Sequence, residues 1–318
     1  LILLVMKLLR RVVGLAQRLS KAPTGSSFER KPDPERRSVL IAGSNLTLLG
    51  LSGVLTGYGV YEARRTPRIR EVDIPLPNLP PAFDGFRIVQ ISDIHVGPTI
   101  QRDWVEMVVE TAGKTGADMV AFTGDFVDGT VPNLREHTAP IRELTGRYGQ
   151  FFVTGNHEYY SGVMPWLDEV DRLGWNILMN EHRVIEKDGA RLVIAGVTDY
   201  RAGGFYPEHA SDPYAAISGA PADVPRILLA HQPASVIDAS NAGFDVQISG
   251  HTHGGQFFPW DNLARLAQPY ISGLHRHDSK MWIYVSRGTG YWGPPVRIGQ
   301  PSEITLVTLK RAPIAEAV

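Results

Sequence analysis

The 318-residue sequence contains no cysteine, which excludes disulfides and thiolate metal ligands. That absence leaves the compartment open, because a disulfide-free domain can work on either side of a membrane. Neither a P-loop nor a G-x-G-x-x-G context accompanies Gly203-Gly204 or Gly254-Gly255, so both pairs read as turns rather than phosphate cradles. The formal net charge is only −1, and this near-neutrality hides an asymmetry. Residues 1–70 carry 13 Lys+Arg against 4 Asp+Glu, or +9, whereas the other 248 residues carry 19 against 29, or −10. An acidic main domain lacks the cationic surface that holds a phosphate backbone, so the sequence predicts no nucleic-acid partner. The length suits one large α/β domain with an appendage.

Charge is also missing from residues 38–61, which are bracketed by Arg36-Arg37 and by Glu62, Arg64, Arg65, Arg68 and Arg70. At ~1.5 Å per residue such a stretch spans a hydrocarbon core of ~30 Å, which predicts a transmembrane anchor over 38–61. Its small residues from Gly43 through Gly59 are compatible with helix packing in lipid. The competing reading is a helix lying on the soluble domain. Residues 1–19 read as a basic amphipathic segment or as the end of an earlier membrane span, and 20–37 as a polar, Pro-rich linker. Nine Lys/Arg between Lys7 and Arg37 outnumber the four after Tyr61. The positive-inside bias therefore predicts a cell-membrane protein with its main domain, about residues 72–311, on the extracytoplasmic side. Arg36-Arg37 resembles a twin-arginine signal, but no A-x-A site follows, and an uncleaved anchor is the expectation.

Five short motifs follow five short apolar runs. They are Asp93-Ile94-His95, Gly124-Asp125, Gly155-Asn156-His157-Glu158, His231 and Gly250-His251-Thr252-His253, after runs 87–92, 119–123, 151–154, 226–230 and 244–249. Such runs read as buried strands, so metal-binding residue types fall where strands hand over to loops. Asp93 and His95, two residues apart, can turn toward one ion. A lone carboxylate such as Asp125 can bridge two, Asn156 offers a neutral carbonyl oxygen, and His251 and His253 would face the same side of an extended segment. With His231 this makes seven ligands. A shared Asp125 gives each of two divalent ions four protein groups, and nitrogen and oxygen donors suit Mn, Fe, Zn or Co.

This pattern resembles that of the calcineurin-like metallophosphoesterases, over roughly residues 87–309. The resemblance implies a four-layer α/β sandwich of two mixed sheets flanked by helices, here with an N-terminal transmembrane helix. It implies one ion on Asp93, His95, Asp125 and His253 and another on Asp125, Asn156, His231 and His251. By the same resemblance Asn156 and His157 are catalytic, with His157 contacting phosphate and acting as general acid. Asp128 stands where purple acid phosphatases carry a metal-binding Tyr, which disfavours that branch. The anchor and the run 250–256 are closer to the exported bacterial branch, similar to UDP-2,3-diacylglucosamine hydrolase-like phosphodiesterases. The expected activity is hydrolysis by a two-metal-activated hydroxide, with a phosphodiester or pyrophosphate on a lipid or cell-envelope molecule as substrate. A broad phosphomonoesterase and a non-catalytic metal-binding scaffold or sensor are the alternatives. Nothing in the sequence requires an obligate protein partner.

Glu158 or Asp128 is expected to orient His157, and Asp199 to stand behind the ligands. His137, His182, His209, His275 and His277 read as structural, and Asp103, Asp118 and Asp168 as solvated helix residues. Specificity is expected from loops such as Tyr200–Tyr214. Phe257 through Trp260, with Leu263, Leu266, Tyr270, Ile271, Leu274, Tyr291 and Trp292, read as an apolar rim that admits acyl chains or touches the bilayer, the alternative being ordinary core under a loop.

Overall fold

The computed structural model describes residue 11 and residues 33–312. The expected segment 1–19 (apart from Arg11) and the first part of the linker, 20–32, lie outside the described residues. Two compact units meet between Tyr58 and Gly59.

A helix, α1 (Pro34–Arg64), opens the described chain. It starts inside the expected linker because Asp33 caps it, accepting hydrogen bonds from Glu35 N (3.0 Å) and Arg36 N (3.4 Å), and Pro34 suits a first turn. Residues 34–37 are therefore helical rather than linker. With 31 residues and a mean hydropathy of 1.7 over its most apolar window, α1 is long and apolar enough to cross a membrane. Val39, Leu40, Leu46, Leu49, Val54 and Leu55 are all exposed along it. Its last turn belongs to the following unit, where Gly59, Glu62 and Ala63 are buried.

Among the described residues, that unit contains twelve strands. The chain lays down β1 (Arg68–Leu76), β2 (Arg87–Ile91), β3 (Met119–Phe122), β4 (Gln150–Phe152) and β5 (Asn176–Ile177) in one sheet. It then builds a second sheet with β6 (Glu181–Lys187), β7 (Ala190–Gly196), β8 (Arg226–Leu229), β9 (Val246–Ser249), β10 (Gly273–Arg276) and β11 (Trp282–Val285), before β12 (Glu303–Arg311) returns to the first. The orders are β1-β12-β2-β3-β4-β5 and β10-β11-β9-β8-β7-β6. Both sheets are mixed: β2 through β5 and β7, β8, β9 and β11 run parallel, whereas β12–β2, β6–β7 and β10–β11 are antiparallel.

The apolar runs make strands because both of their faces are covered. On β3, Met119 and Ala121 enter the core between the sheets, while Val120 and Phe122 enter the core outside the first sheet. Side chains alternating into two dry cores are what an unbroken apolar run requires. The outer core of the first sheet is closed by α2 (Arg102–Gly113), α3 (Val131–Thr138) and, after the short α4 (Asn156–Tyr160), by α5 (Val163–Arg172), whereas Tyr159 of α4 joins a separate small cluster with Val163 and Ala202. Val105, Val108, Val109 and Ala112 form the inward stripe of α2, at the spacing of one helix face. Outside the second sheet lie α6 (Pro213–Ile217) and α7 (Val236–Asn241), with Ala216, Val236 and Ala239 in the core there. An eighth helix, α8 (Trp260–Ala267), follows the last motif. The expected four layers are present. β1 begins at Arg68, four residues before the expected domain start at 72. Asp118 is in the turn before β3, not in a helix, and accepts a hydrogen bond from Arg87 N at 2.9 Å.

Candidate metal centre

The parallel strands β2, β3, β4, β8 and β9 deliver all five motifs to one edge of the two sheets. Loops there are stitched together by backbone: Asp93 N donates to Gly124 O (2.9 Å), His95 N to Asp125 O (3.2 Å) and Gly250 N to His231 O (3.0 Å). The approach is close enough to demand glycine. A Cβ on Gly124 would lie 2.5 Å from Gly155 N, and one on Gly250 would overlap Ser92 and Asp93. Asp93, His95, Asp125, His251 and His253 all have left-handed backbone, with φ from 50° to 72°. Such conformations cost about 1–3 kcal/mol each unless the surroundings impose them.

This backbone overturns one expectation. Residues 250–256 are not extended: Thr252 is right-handed helical between left-handed His251 and His253, and His253–Gly255 forms a 3-10 turn. The two imidazoles therefore part company. His253 groups with Asp93 and His95, and His251 groups with Asp125 and His231, each set with ligand atoms within 4.8 Å of one another. A third such set, His95, Asp125 and His157, lies between them.

The donor chemistry of this cluster fits cations. His231 Nδ1 donates to Thr123 O at 2.7 Å, which leaves Nε2 facing Asp125 Oδ2 at 3.1 Å and His251 Nδ1 at 3.2 Å. Three acceptors around one point need a proton or a metal ion among them. His95 Nε2 and His253 Nε2 also face each other, at 3.1 Å. Asn156 Oδ1 is buried and has no hydrogen-bond partner, an unpaired carbonyl oxygen of the kind that costs free energy unless a ligand engages it.

The electrostatics agree. Burial pushes His251 down to about 3 and His253 well below its ordinary value, so both are neutral imidazoles at physiological pH. Burial presses on His231 too, but the carboxylates of Asp125, Asp93 and Asp199 outweigh it and lift the imidazole to about 10. Burial opposes ionisation of Asp125, yet His231, His95 and His157 hold it well below the usual carboxylate range. The protein's charges call for positive charge at this point.

His157 stands at the edge of the cluster, with Nε2 3.9 Å from Asp125 Oδ2 and its backbone N–H donating to Asp125 Oδ1 at 2.9 Å. Asp128, not Glu158, orients the ring: its carboxylate takes His157 Nδ1 and lies 3.3 Å from His95 Nδ1. Burial acts to lower His157, but the hydrogen bond to Asp128 and the charge of Asp125 leave it raised. Glu158 instead accepts the backbone N–H groups of Gly155 (2.6 Å), Phe126 (2.7 Å) and Asp125 (3.0 Å). Asp199 is buried behind the cluster, where it accepts from Gln232 Nε2 at 2.8 Å and Arg201 N at 2.9 Å. None of the five histidines read as structural enters a metal-competent group among the described residues.

A cleft of about 530 Å³ opens from the cluster, lined by Tyr160, Phe257, Trp260, Ala264, Trp292 and Pro294 besides the metal-competent residues. The expected rim is only partly there. Tyr291 and Ile271 are buried core residues, whereas Phe258, Trp260, Leu263, Leu266 and Trp292 are exposed.

Sequence reasoning missed Arg297, which no motif marks. Its guanidinium is fully buried. Nε donates to Gly290 O (3.0 Å), Nη1 to Gln300 O (2.9 Å) and Nη2 to Arg287 O (2.8 Å), and Nη2 also lies 3.0 Å from His253 Nδ1. It ties the His253 turn to the chain that follows β11. Arg297→Met should weaken metal binding about 10–100-fold, the usual cost of losing support behind a ligand, measured by competition with a chelating dye. Arg297→Lys should recover little of it, because one ammonium cannot replace a five-donor fork.

A family model described as calcineurin-like phosphoesterase matches residues 86–255. A zebrafish (Danio rerio) protein named as a transmembrane protein with metallophosphoesterase domain is 38% identical over 269 residues, 82% of this chain and 62% of its own length. A bovine (Bos taurus) protein of the same name is 38% identical over 270 residues, 82% of this chain and 61% of its own. An uncharacterized metallophosphoesterase of Helicobacter pylori is 38% identical over 280 residues, 87% of this chain and 73% of its own. The chain thus spans just over three-fifths of the vertebrate relatives. Their names, together with the apolar α1, indicate membrane association.

Proposed function

Since the chain belongs to the calcineurin-like phosphoesterase family, we propose that it is a metal-dependent phosphoesterase. The observation that carries this reading is the convergence of the six Asp and His groups expected as ligands at one sheet edge, with the unpaired Asn156 Oδ1 of a residue lining the same cleft. Asp93, His95 and His253 would hold one divalent ion and Asn156, His231 and His251 a second, with Asp125 shared. Two such ions supply Lewis-acid clamping of a phosphate and a nucleophile from water near neutral pH. The chain's own groups do the rest. Asp93 and Asp125 are fixed by backbone donors, His251 N (3.0 Å) and His157 N (2.9 Å) respectively. His157, held through Nδ1 by Asp128, is left with Nε2 free to protonate a departing alkoxide, and its raised proton affinity suits that task at neutral pH. Apolar side chains line the cleft beside it.

The substrate proposed is a phosphodiester or pyrophosphate carried on a lipid or cell-envelope molecule. Its support is the apolar cleft beside the cluster and the apolar helix α1. Extracytoplasmic placement rests on the charge asymmetry around residues 38–61.

A panel of phosphomonoesters, diesters and nucleoside-diphosphate lipids with Mn, Fe, Zn or Co tests the proposal. His157→Ala should keep its metals and lose about 10²–10⁴-fold in turnover, the range of a general acid, with the larger losses on poor leaving groups. Equal losses on good and poor leaving groups would remove His157 from the acid role. Turnover confined to monoesters would favour the phosphomonoesterase, and metal-replete protein inert on every ester would favour the scaffold.

A further inference from the structure

The last turn of α1 and the mouth of the cleft are held by one short segment, residues 296–298. Arg297 N donates to Gly59 O at 2.9 Å. Gly59 packs so tightly there that a Cβ would lie 2.6 Å from Val296 Cγ1 and 3.1 Å from Ile298 Cγ1. On the other side Ile298 N donates to Gln256 O at 3.0 Å. Gln256 Nε2 in turn donates to Trp292 O (2.9 Å) and Pro294 O (3.3 Å). From Gln256 the chain runs directly through Phe257, Phe258 and Pro259 into α8.

That helix is odd for a water-soluble surface. None of its eight residues is buried; Leu266 is 85% exposed, Phe258 just before it 68%, and Trp260 and Leu263 50% each. A helix this short has little stability without packing, and contiguous exposed apolar side chains mark an interaction surface. Arg64, Arg68 and Arg70, exposed where α1 ends, are side chains of the type that settle at lipid headgroups.

We propose that the apolar face of α8, together with Phe258 and Trp292, docks on the lipid bilayer, so that the cleft opens at the membrane surface. The occupant is lipid because the segment that anchors α8 also grips the end of the apolar helix. The inference rests on α1 being a membrane span. An amphipathic helix of this kind lies about 5–10 Å into the headgroup and acyl boundary. A substrate carried on lipid then reaches the metal groups by lateral entry past Trp260 and Trp292, without leaving the membrane.

The absence of native cysteine makes a clean test. Full-length Leu266→Cys and, as control, Asp188→Cys are labelled with an environment-sensitive fluorophore and reconstituted into phosphatidylcholine/phosphatidylglycerol vesicles. Asp188 is exposed in the β6–β7 turn, at the sheet edge opposite the motifs. The Leu266 probe should shift to the blue and be quenched by lipid-borne spin labels at least about threefold more than the control, as interfacial insertion requires. Equal quenching at the two positions overturns the proposal. So does a Leu266 signal that grows with protein-to-lipid ratio, which would mean a second copy of the chain covers α8. Failure to co-sediment with vesicles would instead remove the span and the docking together. None of these readouts needs turnover, so loss of the phosphoesterase reading leaves them intact. In active protein, Phe258→Ser with Leu266→Ser should raise KM for a lipid-borne ester about tenfold, the factor for losing burial of a large apolar side chain. KM for a small soluble diester should stay unchanged, and a parallel rise in both overturns the docking.

Discussion

Asp125→Asn is expected to abolish phosphoester hydrolysis, with turnover down by at least about 10³-fold, since even one lost donor to transition-state charge costs about 10²–10³. The change is nearly isosteric, so the loss cannot be assigned to packing. Asp125 Oδ1 accepts His157 N at 2.9 Å, a bond that Asn can keep through its own carbonyl oxygen. Oδ2 is the atom that differs. It lies 3.1 Å from His231 Nε2, 3.8 Å from His95 Nε2 and 3.9 Å from His157 Nε2, and Asp125 belongs to two of the three metal-competent groups. An amide there brings N–H donors where a cation needs lone pairs, and it halves the anionic character of the pair Asp93 and Asp125. Metal content should fall together with activity, read by elemental analysis of the dialysed protein. A variant with full metal content and full turnover would rule out the proposed sharing of Asp125 between two ions.

The second large effect is that of stripping the metal. Chelation should lower Tm by about 8–16 °C. Binding at 1,000 times Kd is worth about 4 kcal/mol, and one kcal/mol moves Tm by about 2–4 °C in a domain of this size. The physical source is visible in the site. Left-handed backbone at five residues of the cluster and the buried carboxylates of Asp93 and Asp125 are held in place against their own preferences. An ion that engages those groups offsets the strain and the crowded lone pairs. Differential scanning fluorimetry before and after chelation, then after adding back Mn, Fe, Zn or Co, measures it. An unchanged Tm on stripping would mean that the cluster binds no ion of structural consequence. Activity should vanish with the metal and return with it.

Much of this was legible in the chain itself. Apolar runs followed at once by Asp, Asn and His locate the ends of β2, β3, β4, β8 and β9, because a doubly covered strand must be apolar throughout and must end where polar residues begin. The charge-free stretch 38–61 located most of α1, but not its start, since Asp33 capping Pro34 is a local geometric event. The rim was read as one apolar run, yet Tyr291 belongs to the core and Leu266 to the surface. Apolarity alone does not say which face a loop presents.

What the sequence by itself determined is the inventory: which strands form, which Asp, Asn and His residues sit at their ends, and that the N-terminal stretch is apolar enough for lipid. What only the tertiary structure decided is the backbone geometry that separates His251 from His253, a division the family pattern implied but the residues alone did not. His251 and His253 go to different groups because the backbone between them is bent into left-handed and right-handed helical conformations in turn. Asp128 rather than Glu158 holds His157, and Arg297, 44 positions from His253, closes the site from behind. Local pattern reports what a residue can do, whereas φ angles and contacts across long sequence separations report what it is made to do. Those are set only when two sheets and their loops pack against each other.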